Sequence, residues 1–178
     1  WNKTIDITYR TVFSAFAEFN FLRDFTFRST VYADLNNQNK REYKPIYNSY
    51  DLSVNKPYLV SSVTGVNEND NSYKRFQQDH ILTYKKKFAD HNLNVSAGFT
   101  TYSNEYRERK ASVQQSVTGS AIPDDKRFWY ISNGFGSQAS QRSESVQWEN
   151  ATVSGLFRVL YNYQGKYYLN ASFRRDGS

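Results

Sequence analysis

The sequence predicts an all-β fold: about six antiparallel strands in three hairpins, forming a segment of a transmembrane β-barrel. Three observations predict it. Apolar and polar residues alternate with period two through six runs of about ten residues or more, the length a tilted strand needs to cross a bilayer. Tight turns and long connections alternate along the chain, which puts every tight turn at one end of the sheet and every long connection at the other. Aromatic residues make up 17% of a chain whose mean hydropathy is only −0.80, and they crowd beside the tight turns, as at a membrane–water interface.

From Val12 to Phe21, Phe13, Ala15, Ala17, Phe19 and Phe21 share one face against Ser14, Glu18 and Asn20, with Phe16 breaking the pattern. Leu22-Arg23-Asp24 turns the chain. In the second strand Phe25, Phe27, Ser29, Val31, Ala33 and Leu35 oppose Thr26, Arg28, Thr30, Tyr32, Asp34 and Asn36. A long polar connection is expected over 37–72, where Pro45, Pro57 and the run Asn67 to Asn71 interrupt any alternation. The third strand, Tyr73 to Phe88, carries Leu82, Tyr84 and Phe88 on one face. A turn over Ala89-Asp90-His91-Asn92 leads to the fourth, where Leu93, Val95, Ala97 and Phe99 alternate with Asn94, Ser96, Gly98 and Thr100.

A second long connection is expected over 104–142, with Gly119, Pro123, Gly134 and Gly136, and a short helix is expected around Glu105 to Val117. The fifth strand places Val153, Gly155, Phe157, Val159, Tyr161 and Tyr163 opposite Thr152, Ser154, Leu156, Arg158 and Leu160. Gln164-Gly165-Lys166 turns into the sixth, with Tyr167, Leu169, Ala171 and Phe173 on one face and Tyr168, Asn170, Ser172 and Arg174 on the other.

An Arg or Lys on a lipid-facing strand position at the bilayer midplane costs roughly 2 to 4 kcal/mol, and four of the apolar faces carry none. Lys86, which shares a face with Leu82 and Tyr84, is expected to reach the headgroups from its place near a turn. Six membrane strands leave two edges whose amides would face hydrocarbon, so further strands are expected. The start at Trp1 and the end inside a strand at Ser178 fit a stretch of a longer chain.

Several function classes recede. With no Cys there is neither a disulfide framework nor a thiol nucleophile. The net charge of +6 is spread among 23 basic and 17 acidic residues rather than gathered into a nucleic-acid stripe. His80 and His91 lack metal-ligand spacing, and Gly134-Phe135-Gly136 lacks the third glycine of a dinucleotide loop. Asn67 to Asn71 lacks the spacing of a calcium loop and is expected to be solvated. Asp124-Asp125 after Pro123 reads as turn chemistry. No cofactor, metal or catalytic residue is expected, and the protein is expected not to be an enzyme.

Phe128, Trp129 and Tyr130 are the candidates for substrate or partner contact, because exposed rings stack on sugars or anchor proteins; packing within the loop is the competing and favoured reading. Arg28, Asp34, Arg158 and Arg174 fall on polar faces, hence the lumen, either pairing with neighbours or lining a solute path.

The last hairpin, from Ser154 through Arg158, Tyr161, Tyr163 and Lys166-Tyr167 to Arg174-Arg175-Asp176-Gly177-Ser178, resembles a signature hairpin of the SusC/RagA family. Ala15 to Phe19 with Phe25 to Thr30 is similar to a mid-barrel hairpin of the same family. The resemblance covers most strands and neither long connection. It implies a TonB-dependent transporter of the bacterial outer membrane, with a barrel of about 22 strands and a plug domain absent from this chain. It further implies a SusD-like surface lipoprotein and the TonB complex as partners. Residues 1–178 would then be part of the barrel, with 37–72 and 104–142 as extracellular loops, in an importer of glycans or peptides embedded in outer-membrane lipid. The alternatives are a passive outer-membrane pore or structural barrel, and a soluble carbohydrate-binding β-sandwich.

Overall fold

The computed structural model describes residues 2–116, 121–134 and 140–177. Its strands are β1 (Lys3–Phe21), β2 (Phe25–Lys44), β3 (Tyr47–Asp51), β4 (Lys56–Ser61), β5 (Val63–Phe88), β6 (His91–Ser116), β7 (Gln141–Tyr163) and β8 (Tyr167–Gly177). One six-stranded sheet has the order β1-β2-β5-β6-β7-β8, and β3 and β4 form a separate hairpin. The fold is all-β, with the six expected strands adjacent in chain order.

Each tight turn uses left-handed backbone: Leu22 and Arg23 have φ of 47° and 61°, Ala89 48°, and Gln164 and Gly165 55° and 67°. Such turns match the twist of paired strands. The second is shorter than expected, since His91 and Asn92 already belong to β6.

The expected long connections are largely strand. β2 continues to Lys44, β5 begins at Val63, β3 and β4 occupy much of the interval, and β6 runs to Ser116 in place of the short helix expected from Glu105. Hence β5 and β6 are each 26 residues long, against the about 9 to 11 needed to cross a bilayer. Alternation fails over Asn36 to Lys44 and Val63 to Ser72 because both faces there are mostly polar. Period two signals a difference between faces, and it vanishes where the difference does. Val117, Gly119, Phe135, Gly136 and Ser178 lie outside the described residues.

The chain divides into two compact units. The turn unit comprises Arg10–Leu35, Tyr73–Glu105 and Trp148–Ser178. On one face of its sheet, rings meet across strands: Phe21 with Phe25 at 5.6 Å, Phe25 with Tyr84 at 4.8 Å, and Phe88 with His91 at 4.9 Å. His91 also meets Tyr163 at 4.7 Å, and Tyr163 meets Tyr167 at 6.4 Å. These residues flank the three turns, so the expected aromatic row exists as packed side chains. Lys86 is paired there with Asp24 of the first turn. The face remains uncovered, with Phe19, Phe157, Leu169 and Phe173 all exposed. A soluble sandwich would bury such a face under a second sheet. None of the described residues of this unit provides one.

The loop unit, Trp1–Tyr9, Asn36–Ser72 and Tyr106–Gln147, holds a small core of Tyr43, Val66, Val113, Ile122 and Trp129, with Ile5 and Ile131 packed beside it. Residues 121–134 form a strap over the strands. The Tyr43 hydroxyl donates to the Ile122 carbonyl at 2.8 Å, and the Ile122 amide donates to Thr64 Oγ1 at 2.9 Å. Gly134 closes the strap against Val113. A Cβ at Gly134 would fall 2.4 Å from Val113 Cγ2. Gly134→Ala is therefore expected to loosen the strap by about 1 to 3 kcal/mol, read as faster amide exchange over 121–134. The clash account also requires that Val113→Ala, added to Gly134→Ala, reverse part of the loss.

Candidate functional site

The polar side chains expected to face the lumen gather on the face of the turn unit opposite its aromatic row. Asp34 is the centre. Arg10 Nε and Nη2 donate to its two oxygens at 2.9 and 2.8 Å, and Arg75 Nη1 lies 3.9 Å from Oδ2. Arg75 also donates to the Tyr73 hydroxyl at 2.9 Å, and Tyr73 meets Trp148 edge-on at 6.2 Å. One carboxylate with 3% exposure thus organises two guanidiniums on neighbouring strands.

Asp34 is the buried member of the cluster, while the Arg10 and Arg75 side chains are exposed enough to be solvated without it. The damaging direction is the one that leaves a buried charge without its partner. We expect Arg10→Ala, which leaves Asp34 only the 3.9 Å contact with Arg75, to lower the unfolding temperature of the intact protein more than Asp34→Ala or Arg75→Ala. The Asp34→Ala/Arg10→Ala double variant should lose less than the sum of the singles. Strict additivity would contradict the pairing.

The other three candidates do not join Asp34. The Arg28 guanidinium lies 4.4 Å over the Phe16 ring, which explains the one break in the first strand: Phe16 is on the polar face because it carries a cation. Arg158 is exposed opposite Ser172. Arg174 donates to Asp176 at 2.7 Å and to the buried Ser154 hydroxyl at 3.2 Å, a charge-assisted pairing within the last hairpin. Arg10, Arg75, Tyr73 and Trp148 were missed from sequence. Arg10 and Arg75 continue the polar positions of their strands, but only the cross-strand register aims them at Asp34.

The aromatic triplet divides. Trp129 is buried at 3% exposure, stacked on Tyr43 at 5.1 Å with the planes 6° apart, so it is a core ring rather than an exposed contact. Phe128 and Tyr130 are 44% exposed, and Arg41 lies 4.6 Å over the Tyr130 ring. Asp125 caps the short 3-10 turn Lys126–Phe128 by accepting from the Arg127 amide at 3.0 Å. The Arg127 side chain, and then that amide, hold the Asp125 carboxyl below its usual range. Asp124 pairs with Lys3 at 2.6 Å. Turn chemistry is therefore what Asp125 does, while Asp124 ties the strap to Lys3 of β1.

Asn67 to Asn71, expected in a solvated loop, lie instead within β5. Asn71 donates to Gln38 at 2.9 Å and Asn69 to Glu108 at 3.1 Å. Lys110, 2.9 Å from Glu108, holds that carboxyl below its ordinary range, with Asn69 adding a hydrogen bond. His80 and His91 are packed among rings, His80 between Phe27 and Phe99, and His91 bonded to the Tyr161 hydroxyl.

Beside the Asn69–Glu108–Lys110 chain the loop unit has an open cavity of about 750 Å³. Four neighbouring strands line it: Lys40 and Glu42 of β2, Asn67 to Asn69 of β5, Lys110 to Ser112 of β6, and Gln141 to Glu144 of β7. None of its described lining residues is aromatic, and the Asn69 side-chain oxygen is buried without a partner.

No protein-family model matches the chain, and no curated protein does. Solved structures do. Structures of the RagAB peptide importer in its closed-closed and open-open states superpose over 98% of this chain, each with a TM-score of 0.81 and 17% identity. A structure of the RagAB peptide transporter does so over the same share, with a TM-score of 0.82 and 16% identity. The chain has the fold of a stretch of the RagAB importer. It spans 18% of the length of those chains. In this RagAB-like fold β1 and β8 are the edge strands of the six-stranded sheet.

Proposed function

We propose that the chain is part of a TonB-dependent active importer of the bacterial outer membrane, contributing barrel wall and outward-reaching strands and loops. Its cargo is a glycan or peptide, and no covalent chemistry is done on it. The single observation that carries this reading is the amphipathic sheet of the turn unit. It has an uncovered apolar face with an aromatic row at the turns, backed by a polar face on which Asp34 pairs with Arg10 and Arg75. Lipid suits the first face and an aqueous lumen the second. The RagAB-like fold supports an importer over other barrels, and RagAB, named as a complex, supports a surface lipoprotein as partner. Phe128 and Tyr130 are the exposed rings offered to that partner or to cargo.

The test is uptake of labelled oligomers by cells carrying or lacking the full-length gene, before and after collapse of the inner-membrane proton gradient. Active import requires uptake that depends on both the gene and the gradient. Gene-dependent uptake that survives the collapse, with steady ion conductance of the purified protein in planar bilayers, would mean a passive pore instead.

A further inference from the structure

We propose that the cavity of the loop unit binds peptides carrying both acidic and basic side chains, in preference to neutral glycans. This rests on the importer reading and names its cargo. The composition of the cavity carries the argument. Lys40, Lys110 and Arg142 supply three cations, Glu42, Glu68 and Glu144 three carboxylates, and Glu68 and Asn69 each an acceptor oxygen buried without a donor. A neutral sugar is held by an aromatic platform under its apolar ring face, and no described residue lining this cavity is aromatic. A peptide needs donors, acceptors and counter-charges, which are what these side chains offer.

Spacing adds a constraint. Lys40 and Glu42 are two positions apart on β2, as are Arg142 and Glu144 on β7. Residues two apart on a strand project to one face at a repeat of about 6.5 Å, the repeat of same-side residues in an extended peptide. A peptide lying along either strand with an acidic and a basic residue two positions apart therefore meets an opposite charge at both. Lys110 is already paired with Glu108, and Glu42 with Asn2. Arg142 and Glu144 on the exposed start of β7 have the greater freedom to rearrange around cargo.

The experiment is equilibrium binding by calorimetry to the purified full-length protein in detergent, using four probes. These are a decapeptide with Asp and Lys at alternating same-side positions, an all-acidic and an all-basic decapeptide, and a linear neutral glucan. The mixed peptide should bind most tightly, and Arg142→Ala and Glu144→Ala, on the freer strand, should each weaken it by about tenfold or more. Because Arg142 is an exposed side chain, a variant with an unchanged unfolding temperature keeps the result interpretable. Glucan binding equal to or tighter than the mixed peptide would overturn the proposal, as would a mixed-peptide affinity that neither substitution changes. In the first of those cases the importer reading survives with a glycan as cargo. Failure to bind any probe, together with open conductance, removes the importer reading itself.

Discussion

Trp129→Ala is expected to release the strap of residues 121–134 from the sheet beneath it. Trp129 is the largest ring in the loop unit's core, 3% exposed and stacked on Tyr43 at 5.1 Å. Truncating a buried aromatic of that size costs about 3 to 5 kcal/mol, which in local opening is about two to nearly four orders of magnitude in amide protection. The loss should be confined to the strap and the strand positions under it, because the core involved is a satellite of five residues rather than the sheet itself. Phe128→Ala and Tyr130→Ala, at half-exposed neighbouring positions, should leave protection nearly unchanged. Hydrogen exchange on the three variants separates the roles. If Trp129→Ala left the strap protected, the stack would not be what holds it. Any loss of partner or cargo binding in Phe128→Ala or Tyr130→Ala then reports contact rather than unfolding.

Gly98→Ala is expected to be the most damaging single-atom change in the sheet of the turn unit. A Cβ at Gly98 would lie 2.2 Å from the His80 carbonyl oxygen and 3.0 Å from the Ile81 Cα, both backbone atoms of the neighbouring strand. Overpacking against movable side chains costs about 1 to 3 kcal/mol. Here the obstacle is a strand, so β5 and β6 must separate and the cost should lie at the top of that range or beyond. We expect a lowered unfolding temperature and a reduced yield of assembled protein. Thr100→Ala, which removes a 2.7 Å hydrogen bond to Asp79 on the same two strands, should cost only about 1 kcal/mol. Equal behaviour of the two variants would contradict the close strand approach.

What was legible in the sequence follows from where the two sheet faces differ. In β1, β2, β6, β7 and β8 the half next to the tight turns has one apolar and one polar face, and the alternation there located each strand and its turn. Beyond about Asn36 in β2 and before about Tyr73 in β5 the faces are both polar, so the same backbone geometry leaves no period-two trace. The run Asn67 to Asn71 illustrates this: by composition it is a loop, yet Asn69 and Asn71 make cross-strand hydrogen bonds in the middle of a ladder. Trp129 shows a different limit. The loop sequence reveals an aromatic triplet but not which ring turns inward, because that is decided by Tyr43, 86 positions away, whose own surroundings read as polar. Asp34 was identified as a polar-face residue, while its partners Arg10 and Arg75 depend on registers that the sequence does not state. The cavity was invisible for the same reason, since its residues come from four strands and share no motif.

The central claim is that the turn unit's sheet has one face against lipid and one against water. The described chain has no cysteine, so single cysteines can be placed along β6 in a cysteine-free full-length background and spin-labelled in the bilayer. Collision with oxygen, which partitions into hydrocarbon, and with a polar nickel chelate, which stays in water, can then be measured at the positions from 93 to 100. Position 98 is left unlabelled, because Gly98 has no room for a side chain against β5. The expected result is strict alternation, with Leu93, Val95, Ala97 and Phe99 reached by oxygen and Asn94, Ser96 and Thr100 reached by the chelate. Chelate access at the apolar positions, or no alternation at all, would contradict it.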